Sequence, residues 1–452
     1  MGKKMALNKA TCFALLSVCF SEVQADEKSS PDFFGDSKLS ITSRNFYFNR
    51  DFRHGMSNGG GTNAFKGAGE RNGYAEEWAQ GFMANFSSGF TPGAVGLGFD
   101  AYSFLGLKLD SGGGRAGVRL TQLDSDGEPR DHFSKSGAAL KLRYGGGLFQ
   151  YGNLFPSVPV LSVNTVRLFP SSATGTMLGW DVEKLHLDAA HFTGQGGVDS
   201  SNNDDDFTTD YGLPIAIKSV SYVGAKYSFG SSLKASVYAS EAEDTWRQYY
   251  LNGNYTHTID PAQSVIFDAN VYRTVDAGRK LASVIDNTTY SLSLAYRFNA
   301  HTVTLAYQKV QSDEPMDWLG FGTSPGVVSL ANAIQYSTFT EANERSFQIR
   351  YDIDMAPFGI PGLSFMTRYA RGDNVSNRDS DNTFYTRRYV YPEGDDVRHW
   401  ERDIEARYVV QSGPAKALSV RVRQATHRGS AGYRYADNNE VRVIVDYPIS
   451  IF

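Results

Sequence analysis

Cysteine is nearly absent. The 452-residue chain has two, Cys12 and Cys19, and both fall within its first 25 residues. Beyond that point there is no thiol, so neither a disulfide framework nor a thiolate metal site is open to the chain. Long apolar runs are lacking as well. The longest, residues 10–20, falls short of the roughly 20 residues a helical membrane span needs. Positive charge is in deficit: 44 Lys and Arg stand against 49 Asp and Glu, a net charge of -5, which becomes -7 once the first 25 residues, with three Lys and one Glu, are set aside. That balance argues against nucleic-acid binding, which runs on cationic contact with phosphate. The eight His include no HExxH pair, and neither a P-loop nor a nucleophile elbow is present. The chain therefore reads as no enzyme, with no cofactor and no metal. No Pro- or Ser-rich linker divides it into domains.

What is present begins with an export signal. Lys3, Lys4 and Lys9 lead into the apolar run, and "VQA" ends at Ala25 before Asp26. Residues 1–25 read as a cleaved signal peptide and residues 26–452 as one domain. An exported chain without disulfides needs a fold closed by other means. Aromatics at 13%, 45 glycines and a mean hydropathy of -0.36 suit a transmembrane β-barrel, whose alternating strands average out on a hydropathy scale.

Turn chemistry recurs at "FTPGA" (90–94), "GGG" (145–147), "EK" (183–184), "GSS" (230–232), "DPAQ" (260–263), "FNAH" (298–301), "APFGIPG" (356–362) and "SGPAK" (412–416). Long connections, polar except for 153–175, lie between them, at 51–73, 102–135, 153–175, 193–217, 312–343 and 372–399, and short and long connections are expected to alternate strictly. This frames eighteen strands of about ten residues. Tandem sandwiches or a β-helix would show linkers or a constant repeat. The expected fold is all-β: an 18-stranded antiparallel transmembrane β-barrel with an inward-folded constriction loop.

Strand alternation assigns the faces. In "SFQIRYDID" (346–354), Phe347, Ile349, Tyr351 and Ile353 oppose Ser346, Gln348, Arg350 and Asp352. An Arg on the lipid face costs about 2–4 kcal/mol at the midplane, so the polar face is the wet lumen. By that parity Arg143, Arg297, Arg350, Arg368, Arg407, Arg421 and Arg423 point inward, and Arg44 joins them where the last strand closes on the first. Guanidiniums along one wall offer successive weak sites for a carboxylate, which matches their two-pronged donor geometry; each could instead brace the wall against a lumenal acid. Acidic loops such as 198–210 read as solvated. The loop "GNLFPSVPVLSVNTVRLFPSSATG" (152–175) is apolar and stiffened by Pro156, Pro159 and Pro170. It is expected to fold into the barrel and narrow it, with Asn164 and Arg167 as polar contacts.

The stretches "RNFYFNRDFR" (44–53), "EEWAQGFMANFSSGFTPGAVGLGFDA" (76–101), "PVLSVNTVRLFP" (159–170), "RYARGDN" (368–374) and "WERDIEARYVVQSGPAKALSVRVR" (400–423) together resemble the OprD family of substrate-specific outer-membrane porins. The resemblance spans essentially the whole chain after the signal. It implies eighteen strands, a third extracellular loop forming a narrow eyelet, and a basic ladder guiding small carboxylate nutrients. Pro159, Asn164 and Arg167 match the constriction-loop pattern, and the inward arginines match the ladder. The expected partners are small anionic or zwitterionic carboxylate solutes, outer-membrane lipid and lipopolysaccharide, and the outer-membrane assembly machinery, for which Phe452 is the terminal aromatic. The state is a monomer or loose homotrimer. Val441, Val443, Val445 and Tyr447 run out of phase with Phe452 and Pro448 interrupts them, which predicts a bulge. A general diffusion pore and a plugged structural or adhesive barrel remain as alternatives.

Overall fold

The computed structural model describes residues 32–452 apart from Thr323 and Asp395; the signal expected at 1–25 lies outside the described residues. Eighteen long antiparallel strands close into a barrel. They are β1 (Lys38–Phe52), β2 (Tyr74–Ser87), β3 (Val95–Asp110), β4 (His132–Tyr144), β5 (Gly147–Leu154) and β6 (Ser172–Val182). Next come β7 (Leu185–Gly196), β8 (Val220–Phe229), β9 (Leu233–Ala242), β10 (Trp246–Asp260), β11 (Gln263–Asp276) and β12 (Asp286–Phe298). The last third is β13 (His301–Gln311), β14 (Arg345–Asp354), β15 (Leu363–Asp373), β16 (His399–Val409), β17 (Ser419–Gly429) and β18 (Asn438–Ser450). Each pairs with its sequence neighbour, and β18 pairs with β1 from Asn438 opposite Phe52 to Ser450 opposite Ser40. Closure leaves no free edge.

The burial pattern is that of a membrane barrel. Leu140, Val223 and Leu251 are 66%, 60% and 58% exposed on the outer face, whereas Lys135, Glu77 and Ser291 are buried within. Tyr144, Phe229, Tyr296 and Tyr408 stand exposed near the strand ends at the tight-turn side, where aromatic rings settle at a lipid–water interface. That side, with two-residue links such as 145–146 and 183–184, is the periplasmic one.

Three expectations change. Short and long connections do not alternate strictly: on the extracellular side the links at 243–245, 277–285 and 430–437 are short. β3 runs to Asp110 rather than ending near residue 101. Its second half carries Tyr102 and Phe104 on the lumen face, packed against Phe155 and Phe169 of the inward loop, so both faces are apolar and the alternation disappears from the sequence. The closing strand has no bulge, since its register with β1 is continuous through Pro448, opposite Thr42. Proline is tolerated there because β17 has already ended its pairing at Ser419 opposite Asp446, so no ladder bond is lost on that side.

Candidate functional site

The lumenal wall from β12 round to β1 is ordered in three cross-strand rows. One runs Arg297, Thr302, Asp352, Met366, Glu405, Arg423, Arg442 and Phe48. Beside it run Arg350, Arg368, Asp403, Ala425, Glu440 and Arg50. On the periplasmic side lie Ser364, Arg407, Arg421, Ile444 and Phe46. Period-two alternation puts these residues inward; strand register stacks them.

Most of these guanidiniums have a carboxylate. Arg368 meets Asp403 at 2.6 Å, Arg350 meets Asp352 at 2.7 Å and Arg44 meets Asp446 at 2.7 Å. Two acids are shared. Glu405 lies 3.4 Å from Arg421 and 2.9 Å from Arg423, and Glu440 lies 2.5 Å from both Arg50 and Arg442. Arg407 makes no ion pair among the described residues, and its Nε is buried without a hydrogen-bond partner. The wall therefore combines bracing with an excess of positive charge.

The loop at 155–171 reaches through the lumen from Tyr272 on β11 to Arg44 at the β1 edge of this wall, and packs on β2, β3 and β4 beside it. Phe169 packs against Phe104 and Phe133. Gly81 leaves the space it needs, since a Cβ there would meet Leu168 Cδ1 and Phe169 Cε1 at 3.1 Å. Arg44 Nη1 donates to the Arg167 carbonyl at 3.0 Å. Lys135, buried, donates through Nζ to the carbonyls of Pro170, Gly196 and Gly197 at 3.2, 2.9 and 3.0 Å. Three acceptors match the three donors of an ammonium, which ties the constriction loop to the next one.

At the narrowing, the guanidiniums of Arg442, Arg167 and Arg50 lie 4.3, 5.4 and 5.6 Å from the Phe48 ring centre, within cation–π range. Burial, and then the nearby charges of Arg442, Arg50 and Arg119, push the Arg167 pKa down to about 9. The group remains cationic at neutral pH; the shift marks a point where positive charge exceeds what its neighbours neutralise.

The structure gathers Arg44, Arg350, Arg368, Arg407, Arg421 and Arg423 on one wall. Arg297 extends one row of it from β12, whereas Arg143 sits apart on β4, 4.6 Å from the Phe90 ring centre. Arg167 is at the eyelet. Pro159 offers its carbonyl to the Tyr272 hydroxyl at 3.0 Å. Asn164 is not a polar contact of the channel. It is buried, its Nδ2 donating to Ser324 Oγ at 2.8 Å and the Pro325 carbonyl at 2.9 Å, so it locks two loops together. Arg50 and Arg442 were not anticipated, although each shares the inward parity of a neighbour that was: Arg44 on β1 and Arg423 opposite on β17.

A closed eighteen-stranded barrel, apolar outside and polar within, narrowed beside a cationic wall by the inward loop 155–171 and by the loop 312–344, whose Tyr336 and Ser337 N–H groups donate to Glu401, defines an outer-membrane channel. The chain matches the family model "outer membrane porin, OprD family" over residues 31–451, and it belongs to that family of substrate-specific porins of the bacterial outer membrane. It is 43% identical to Porin D of Pseudomonas aeruginosa over 94% of each chain. The crystal structure of the outer membrane protein OprD from the same organism superposes with a TM-score of 0.78 at 41% identity, covering 94% of this chain and 97% of that one. The crystal structure of Pseudomonas aeruginosa OpdK with vanillate gives a TM-score of 0.80 at 31% identity, covering 93% of this chain and all of that one.

Proposed function

We propose that this porin is a passive, solute-selective channel for small carboxylate-bearing nutrients, and that the arginine wall is its selectivity device. The observation that carries this reading is the shared-acid pattern. Glu405 and Glu440 each serve two guanidiniums, while Arg407 has no ion-pair partner among the described residues. A wall built only for bracing would match charges one to one; this one keeps positive potential from the eyelet towards the periplasmic turns. A carboxylate passing the eyelet meets Arg167 and Arg50, then Arg423, Arg421 and Arg407, with no single contact strong enough to trap it. The vanillate bound by OpdK carries a carboxylate of this class.

The solute gradient drives transport, and the reading needs neither catalysis nor a cofactor. Residues 1–25 serve as the cleaved signal. Phe452 addresses the assembly machinery, lipopolysaccharide surrounds the outer leaflet, and the uniformly apolar outer face suits a monomer or loose homotrimer.

Proteoliposome swelling with benzoate against benzamide tests the reading. Benzoate is expected to enter faster, and Arg421→Gln with Arg423→Gln to cut that advantage by about tenfold, two charge-assisted contacts of roughly 0.7 kcal/mol each. Equal rates for both solutes in the unaltered protein would make it a general pore and reduce the arginines to bracing. Exclusion of both would make it a plugged barrel.

A further inference from the structure

One cation near the eyelet is held in a way the wall arginines are not. Arg119 belongs to the extracellular loop 111–131, between β3 and β4, and its backbone has φ +65°, a left-handed conformation that Arg rarely adopts. Glu77 on β2 imposes it. The Glu77 carboxylate is fully buried. Its Oε1 accepts from the backbone N–H groups of Gly117, Val118 and Arg119 at 2.9, 2.9 and 3.1 Å. Its Oε2 accepts from the N–H groups of Leu120 and Thr121 at 2.9 and 2.8 Å and from Thr121 Oγ1 at 2.8 Å. A buried carboxylate needs its lone pairs satisfied, and here a concave run of backbone donors does so, as in an anion nest. With six donors engaged, Glu77 is committed to the loop backbone and neutralises no guanidinium. Val118 and Leu120, on either side of Arg119, are buried, so the segment cannot turn over.

The Arg119 side chain makes no ion pair and no hydrogen bond among the described residues. Burial pushes its pKa down, Asp199 and Asp210 oppose that, and Arg50 adds to it. Glu77 stands opposite Phe48 across the β1–β2 pair, so the segment it holds borders the narrowing. Arg44, Arg50, Arg368 and Arg442 each have a carboxylate within 2.7 Å; Arg119 has none within ion-pair distance. A guanidinium carried by a strained backbone that Glu77 fixes next to Phe48, and left without an acid, is suited to a solute carboxylate arriving from outside.

We infer that Arg119 is a solute-contacting cation on the extracellular side of the eyelet, and that Glu77 is the residue that positions it. This rests on the carboxylate reading above and adds a residue of the loop 111–131 to the path. The solute meets Arg119, then Arg167 and Arg50, before the wall below.

The test compares benzoate with benzamide supplied to the extracellular face of the full-length porin in vesicles of known orientation. Folding is confirmed by heat-modifiable migration. Arg119→Gln is expected to lower the benzoate-to-benzamide ratio about fivefold, in line with one part-buried charge contact, and Arg119→Lys to keep most of it. Glu77→Gln is expected to reproduce the Arg119→Gln loss, and the double variant to be no worse than either single one. An unchanged ratio in Arg119→Gln, with the ratio lost in Arg423→Gln, would overturn the inference and leave the carboxylate reading intact. A ratio unchanged in both would overturn that reading as well. A loss in Arg119→Lys equal to that in Arg119→Gln would show that shape and not charge matters, and a double variant clearly worse than either single one would show that Glu77 does not act through Arg119; either overturns the assignment.

Discussion

Two walls of the lumen share a backbone, an alternation and a wet face, and differ in what surrounds a charge. From β14 round to β1, carboxylates stand among guanidiniums and are outnumbered. From β7 to β11 they stand among amides and phenols. Asp268 accepts from Asn252, Asn254 and Asn270 at 3.1, 2.9 and 2.6 Å. Asp188 accepts from the Tyr238 hydroxyl and faces His186 Nε2 at 2.9 Å, with Lys226 at 3.6 Å. Neutral donors solvate an acid without cancelling its charge, whereas shared arginines reverse the local sign. The lumen thus has a strongly cationic side and a side where amides, hydroxyls and a few balanced charges predominate; on the proposed reading a carboxylate would be drawn to the first while the rest of the solute faces the second.

The largest effect that would break this contrast is on the positive wall. Glu440→Gln strips the buried acid shared by Arg50 and Arg442, leaving two guanidiniums uncompensated. It is expected to cost about 3 kcal/mol of barrel stability and to raise anion selectivity. The urea unfolding midpoint in lipid and the reversal potential under a salt gradient read the two effects; no change in either would mean that Glu440 does not hold that wall together.

Lys135→Met acts on the loop between the walls. Losing three charge-assisted bonds to Pro170, Gly196 and Gly197 should cost about 2 kcal/mol and let the constriction loop loosen. Single-channel conductance is then expected to rise with a broader spread; a conductance unchanged in size and noise would assign the loop's position to its apolar packing alone.

The smallest effect sharpens the contrast from the other side. Asp268→Asn keeps the shape and leaves three neighbouring amides, so stability should stay within about 0.5 kcal/mol and the benzoate-to-benzamide ratio should hold. Cation permeation should fall slightly in the same bilayer recording. A carboxylate preference reduced as far as in the Arg421 and Arg423 variants would show that the two walls do not act separately.

Much of this was legible in the chain. Strand facing follows from a period of two, so Arg421 and Arg423 point into the lumen for the same reason that Val420 and Val422 do not. β3 beyond residue 101 was hidden because its lumenal positions pack against a loop and are themselves apolar, which removes the signal that reveals a strand. Asn164 was expected to be a polar contact of the channel and has a different task, since its partners Ser324 and Pro325 lie on a loop some 160 residues away. Arg119 left no trace, because nothing local announces that Glu77 will collect six donors from that segment.

The sequence by itself determined a chain of alternating strands, eighteen of them, with no thiol beyond residue 25 and a cationic parity near its C-terminal end. These are local properties, read from neighbours two residues apart. Only the tertiary structure decided which inward cations share an acid, which meet at Phe48 and which stay apart, as Arg143 does. Those outcomes depend on register between strands and on where loops dock, as when Arg44 holds Arg167 across 123 residues of chain. Alternation cannot encode such contacts, because it sets the face of a side chain and not its neighbour across the sheet.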